Sequence, residues 1–174
     1  MKLKHIKKPF HILIILFLTT FGMEAYSKSQ VKFSAGTDSP GTDTTKNARG
    51  ITAGTTIKIF LQSGEWYRWT SSFAYSTATK YSQGEFGVGL TLYPLNSLSK
   101  SFVQPFLYAN GFVGLGRYYD TTETKEQTRM DFGYDLGAGI DIDLFKKFGF
   151  NFIIESHSGG EKSLRMLLGF YMKN

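Results

Sequence analysis

Between Asp131 and Leu144 every even-numbered residue is apolar and every odd-numbered residue is glycine or aspartate. Phe132, Tyr134, Leu136, Ala138, Ile140, Ile142 and Leu144 alternate with Asp131, Gly133, Asp135, Gly137, Gly139, Asp141 and Asp143. Successive side chains of an extended strand point to opposite faces, so this run predicts one long strand with an apolar face and a face of glycine and aspartate. The same period continues downstream. Lys147 to Ser156 sets Phe148, Phe150, Phe152 and Ile154 against Gly149, Asn151, Ile153 and Glu155, and Ser163 to Lys173 sets Leu164, Met166, Leu168, Phe170 and Met172 against Arg165, Leu167, Gly169 and Tyr171.

Noisier alternation predicts five earlier strands, at 30–36, 49–62, 66–76, 84–93 and 102–118, for a total of eight. The connections fall at 38–48, 63–65, 77–83, 94–101, 119–126, 145–146 and 157–162. Alternation does not by itself say which face points outward. A soluble barrel hides its apolar face, and a membrane barrel presents it to lipid. Glycine placement separates the two: Gly54, Gly87, Gly89, Gly114, Gly116, Gly133, Gly137 and Gly139 share the polar parity, where a soluble protein gains solubility and strand propensity from Lys, Glu or Thr. Small residues there fit the narrow interior of an eight-stranded barrel. The apolar face carries Tyr67, Trp69, Phe148, Phe150 and Phe170 near one end of the strands, and Tyr75, Phe86, Tyr119, Phe132 and Tyr134 near the other. Two aromatic bands flanking aliphatic residues match the two headgroup levels of a bilayer.

The N-terminus sets the compartment. Lys2, Lys4, Lys7 and Lys8 precede an apolar run from Ile12 to Phe21 and then Ala25-Tyr26-Ser27, the pattern of a secretory signal peptide over 1–27. The run is shorter than the roughly 20 apolar residues of a spanning helix. Residues 28–174 form the expected mature domain. Without the segment's four lysines and Glu24, 16 basic and 13 acidic residues remain, so the basic character is partly that of the leader and implies no nucleic-acid partner. Cysteine is absent, which removes disulfides and thiolate metal ligands.

Gln104-Pro105-Phe106-Leu107, then Gly111-Phe112-Val113-Gly114-Leu115-Gly116-Arg117-Tyr118, then Tyr134-Asp135-Leu136-Gly137-Ala138-Gly139-Ile140-Asp141 and Glu155 resemble the outer-membrane protein A-like small β-barrel family. The resemblance implies an all-β fold, an eight-stranded antiparallel up-and-down transmembrane barrel in the outer membrane of a Gram-negative bacterium, with both termini in the periplasm. It also implies outer-membrane lipid, including lipopolysaccharide, and the outer-membrane insertion machinery as partners of a monomer. The chain departs from the family at its end: Phe170-Tyr171-Met172-Lys173-Asn174 stands where such barrels finish on an aromatic residue.

Residues for catalysis are few. His157 is the only histidine of 28–174, so a multi-histidine metal site within one chain is excluded, and no nucleotide-binding glycine motif follows a strand and opens a helix. Neither a cofactor nor a metal is expected. Ser156-His157-Ser158, with Glu155 and Glu161, invites comparison with barrel enzymes that deacylate lipid A. Neighbours on a strand point to opposite faces, and the His-x-Ser spacing of those enzymes is missing, so His157 reads as a loop residue. Gly64-Glu65-Trp66-Tyr67 matches the Gly-x-Trp-Tyr signature of lipocalins but follows a long strand at a hairpin turn, where a turn glycine and an interfacial tryptophan explain it more simply.

The inward parity collects Lys32, Lys58, Arg68 and Arg165 with Glu85, Asp131, Asp135, Asp141, Asp143 and Glu155. Eight strands leave room for side chains but not for a wide channel, so these charges are expected to pair and fill the lumen. Counting across a turn at Gly160 sets Glu155 opposite Arg165, and counting across Lys146 sets Asp135 level with His157. Lys58 and Arg68 are expected to approach Asp141 and Asp143. The function expected is that of a small non-enzymatic outer-membrane barrel with a structural or surface-interaction role and a lumen plugged by charged side chains. The alternatives are an outer-membrane lipid-modifying barrel enzyme and a soluble periplasmic lipocalin-like ligand carrier.

Overall fold

The computed structural model describes residues 29–40, 53–78, 81–95, 102–120, 125–159 and 162–174. The expected signal peptide and most of the 38–48 connection lie outside them. Eight antiparallel strands close into a barrel in sequence order: β1 (Ser29–Pro40), β2 (Gly54–Gly64), β3 (Tyr67–Ala78), β4 (Tyr81–Leu92), β5 (Val103–Asp120), β6 (Lys125–Phe145), β7 (Phe148–Ser158) and β8 (Lys162–Lys173). Pairing of β1 with β8 removes both free edges, and Asn174 N donates to Ser29 O at 3.0 Å where the ends meet. The "terminal end" of the barrel carries the termini and the β2–β3, β4–β5 and β6–β7 connections, and the "hairpin end" carries the others.

Several boundaries differ from the sequence-based expectation. β5 and β6 run on to pair Asp120 with Lys125, so residues 119–120 and 125–126 of the expected 119–126 link are strand. β7 pairs with β6 only from Tyr134 onward, so the β5–β6 hairpin projects beyond its neighbour at the hairpin end. β4 begins at Tyr81 rather than at Gly84, and β7 extends through His157 to Ser158. Turn chemistry is clearest between β2 and β3, where Gly64 adopts φ 129° ahead of the exposed pair Glu65-Trp66. That backbone region suits glycine, so the lipocalin-like tetrapeptide is a hairpin turn.

The two faces separate as the alternation predicts. Tyr67, Trp69, Tyr75, Phe132, Tyr134, Phe150 and Phe170 are exposed on the outer wall, and Phe86 and Phe148 are half-buried there among neighbouring rings. Phe148 lies 6.0 Å from both Phe150 and Phe170, and Phe73 lies 5.0 Å from Phe86. Leu107, Leu115, Leu136, Ile154 and Leu168 are exposed between these rings. So much contiguous apolar surface on a closed barrel is a lipid-facing wall, because only closed barrels and helices satisfy their backbone groups within a bilayer.

Candidate functional site in the barrel lumen

Two polar clusters and an apolar layer lie inside the barrel. Arg165 anchors the first, toward the hairpin end. Its guanidinium donates to Glu85 at 2.7 and 3.1 Å, to Asp38 at 3.0 Å and to Glu155 at 3.3 Å. Lys58 lies 2.7 Å from Asp135 and 2.8 Å from Glu155, and the Tyr108 hydroxyl also donates to Glu155. Nδ1 of His157 meets Asp135 Oδ1 at 2.7 Å, and the imidazole stacks on Phe112 with centroids 4.6 Å apart. Each of these side chains is supplied by the inward parity of a different part of the wall, so the register brings residues far apart in sequence to one height.

The second cluster lies toward the terminal end. Asp141 accepts from Lys32 at 2.8 Å, from Gln30 at 3.1 Å and from the Tyr93 hydroxyl at 2.9 Å, and Arg68 donates to Gln30. Asp143 stands nearer the rim, 2.6 Å from Lys173 and bonded by Tyr171. Lys58 therefore does not meet Asp141 or Asp143, whereas Arg68 reaches Asp141 through Gln30. Strand tilt shifts the heights of facing strands, giving Lys58 to Asp135 and Glu155 and leaving Asp141 to Lys32. Asp131 is paired with Arg129 at 2.8 Å near the projecting hairpin.

The strand register sets Glu155 opposite Arg165 and Asp135 opposite His157, as counting across the two turns expects. His157 is nevertheless not a loop residue. It sits on β7 with 2 % of its surface exposed, because the strand continues past Ser156. The lumen is also less polar than the parity of its charges suggests. Phe60, Tyr93, Phe106, Tyr108, Ile153 and Leu167 form a buried apolar cluster inside it. Lys32 Nζ lies 3.6 Å from the centroid of Phe106, and the Arg68 guanidinium lies 4.2 Å from that of Tyr93, so the cations are held over ring faces as well as by carboxylates. Space for these rings comes from the inward glycines of the adjoining strands: a Cβ on Gly137 would overlap the Tyr108 ring, and one on Gly139 would stand 2.5 Å from Phe106 Cζ. Inward parity shared by large rings and glycines is the sequence signal for this layer.

No protein-family model matches the chain, and no curated protein matches it. Solved structures do. Neisserial surface protein A superposes with a TM-score of 0.61 at 10% identity, over 84% of this chain and 96% of that one. The N-terminal β-barrel domain of Pseudomonas aeruginosa OprF gives 0.62 at 8% identity, over 85% and 98%. Ail, the attachment invasion locus protein of Yersinia pestis, gives 0.50 at 12% identity, over 85% and 99%. The chain thus has the fold of the small eight-stranded outer-membrane barrels, and its lipid-facing apolar wall makes it a protein of the cell outer membrane.

Proposed function

We propose that this is a non-enzymatic outer-membrane barrel with a structural or surface-interaction role, whose lumen is a plug. One observation carries the reading: the interior is occupied from Arg165 through Lys58, Tyr108 and Phe60 to Lys32 and Asp141 by buried side chains joined by hydrogen bonds and ring contacts. In a barrel of eight strands such a filling leaves no wide aqueous path. The imidazole of His157 is spent on Asp135 and Phe112, and its Nε2 has no hydrogen-bond partner, which speaks against a hydroxyl nucleophile activated by this histidine. Exposure of Phe132 at 72% and Leu168 at 64% speaks against a soluble carrier.

In this reading both termini are periplasmic, the hairpin end faces the cell exterior, and a single copy sits among outer-membrane lipid, including lipopolysaccharide, after delivery by the insertion machinery. Mass spectrometry of lipid A from cells with and without the protein tests the non-enzymatic role. Identical acyl patterns are expected, and a lost or added chain would overturn it. Cysteine labelling in intact cells tests the orientation. A cysteine at Lys162, exposed at the hairpin end, should react with an impermeant maleimide, and one at Lys146, exposed at the terminal end, should not. The reverse pattern would invert the topology.

A further inference from the structure

Among the described residues, the cluster at the hairpin end does not balance its charge. Asp38, Glu85, Asp135 and Glu155 are joined through Arg165 and Lys58 into one hydrogen-bonded network, giving four carboxylates to two cations. The terminal-end cluster has the opposite imbalance, with Lys32 and Arg68 against Asp141. It cannot compensate the first locally, because Asp135 and Asp141 are six residues apart on β6, about 20 Å along a strand. Uncompensated buried charge is costly, so the hairpin-end network has a place for about two positive charges.

The geometry says where. Nδ1 of His157 is held by Asp135, whose other oxygen is taken by Lys58, so Nε2 is the ring nitrogen that faces the rest of the network. That nitrogen is buried and without a hydrogen-bond partner, and it faces Glu85 Oε1 at 3.8 Å. A separation of 3.8 Å is too long for a hydrogen bond. It is shorter than the sum of two zinc–ligand bonds, about 2.0–2.1 Å to imidazole nitrogen and about 2.0–2.2 Å to carboxylate oxygen, so one ion can bridge the two atoms, with Glu85 Oε1 keeping its bond from Arg165. Stacking on Phe112 fixes the ring plane, and Asp135 behind the ring is the carboxylate partner that metal-bound histidines commonly have. Among the described residues, Glu85, Asp135 and His157 are also the one group whose ligand atoms all lie within 4.8 Å of one another.

We propose that His157 Nε2 and Glu85, with Asp135 orienting the imidazole, form a site for one divalent cation of the zinc type in the hairpin-end half of the lumen. Its two charges offset the two-carboxylate excess of the network. With two protein ligands, the site leaves further coordination positions open. Such a cation would tie β4 to β6 and β7 across the interior and lock the plug where the loops begin.

The test uses the protein purified from membranes without a polyhistidine tag, titrated with Zn2+ against a chromophoric chelator and followed by 15N NMR of the His157 imidazole. The expected result is one saturable equivalent, a shift of the Nε2 resonance at that equivalent, and binding at least tenfold weaker in His157→Gln. Asp135→Asn should weaken binding by about 10–100-fold through loss of ring orientation. The NMR readout needs no substitution, so a variant that misfolds leaves the proposal testable. An imidazole that carries protons on both nitrogens and is untouched by Zn2+ would show that a proton meets the charge deficit, and would overturn the proposal. Unaltered binding in folded His157→Gln would overturn it too.

Discussion

Glu155 and Arg165 are Cα partners on β7 and β8, and their side chains meet inside the barrel with Oε1 and Nη1 3.3 Å apart. The pair is one arm of a larger unit, since the same guanidinium holds Asp38 and Glu85 and the same carboxylate holds Lys58. Arg165→Ala therefore leaves Asp38 and Glu85 without their cation and Glu155 with Lys58 alone, and a loss of about 3–5 kcal/mol is expected, the range for breaking a buried pair from one side.

Glu155→Gln with Arg165→Met should recover part of that loss but not all, because Asp38 and Glu85 still lack their partner. Urea unfolding in lipid vesicles of the wild type, both singles and the double measures the coupling. Losses that add to within about 0.5 kcal/mol would show that the two residues act independently.

The eight strands, their order and the two turn-centred registers were legible because both faces of the last three strands are chemically distinct. A slip of one residue would put Asp135 and Asp141 into lipid and Leu136 into the lumen. Partners across the lumen were not legible. Which charge meets Asp141 depends on strand tilt and stagger, and neither is written in the period of any one strand. The apolar layer was missed for a different reason: Phe106, Tyr108 and Phe112 are inward rings on a strand whose outward face, with Leu107, Val113 and Leu115, is apolar as well. From sequence His157 reads as a loop residue because Gly159 and Gly160 end the alternation two residues beyond it, close enough to blur the strand end.

Ring and glycine are complementary at Tyr108 and Gly137, which are Cα partners on β5 and β6. Gly137→Val forces a side chain into the Tyr108 ring, and a loss of about 1–3 kcal/mol is expected from overpacking. In a Tyr108→Ala background the same change should cost much less. Equal cost in both backgrounds, measured by urea unfolding, would mean that the ring does not occupy the space over Gly137.

Leu168 lies midway along β8 and is exposed on the outer wall, next to Leu167, which is fully buried in the lumen. Leu168→Arg should destabilise the barrel in lipid by about 2–4 kcal/mol, as a cation does at the bilayer midplane. An exposed leucine of a soluble barrel would tolerate the change to within about 0.5 kcal/mol. Refolding equilibria into vesicles distinguish the two values.

The proposed plug is tested most directly by conductance. Protein reconstituted at single-molecule density into a planar bilayer should give small or no current steps beside a general porin under the same salt and voltage, because Arg165, Lys58, Tyr108, Phe60 and Asp141 occupy the path. A stable open channel of porin size from the wild-type chain would contradict the plug and the pairing of the lumen charges with it.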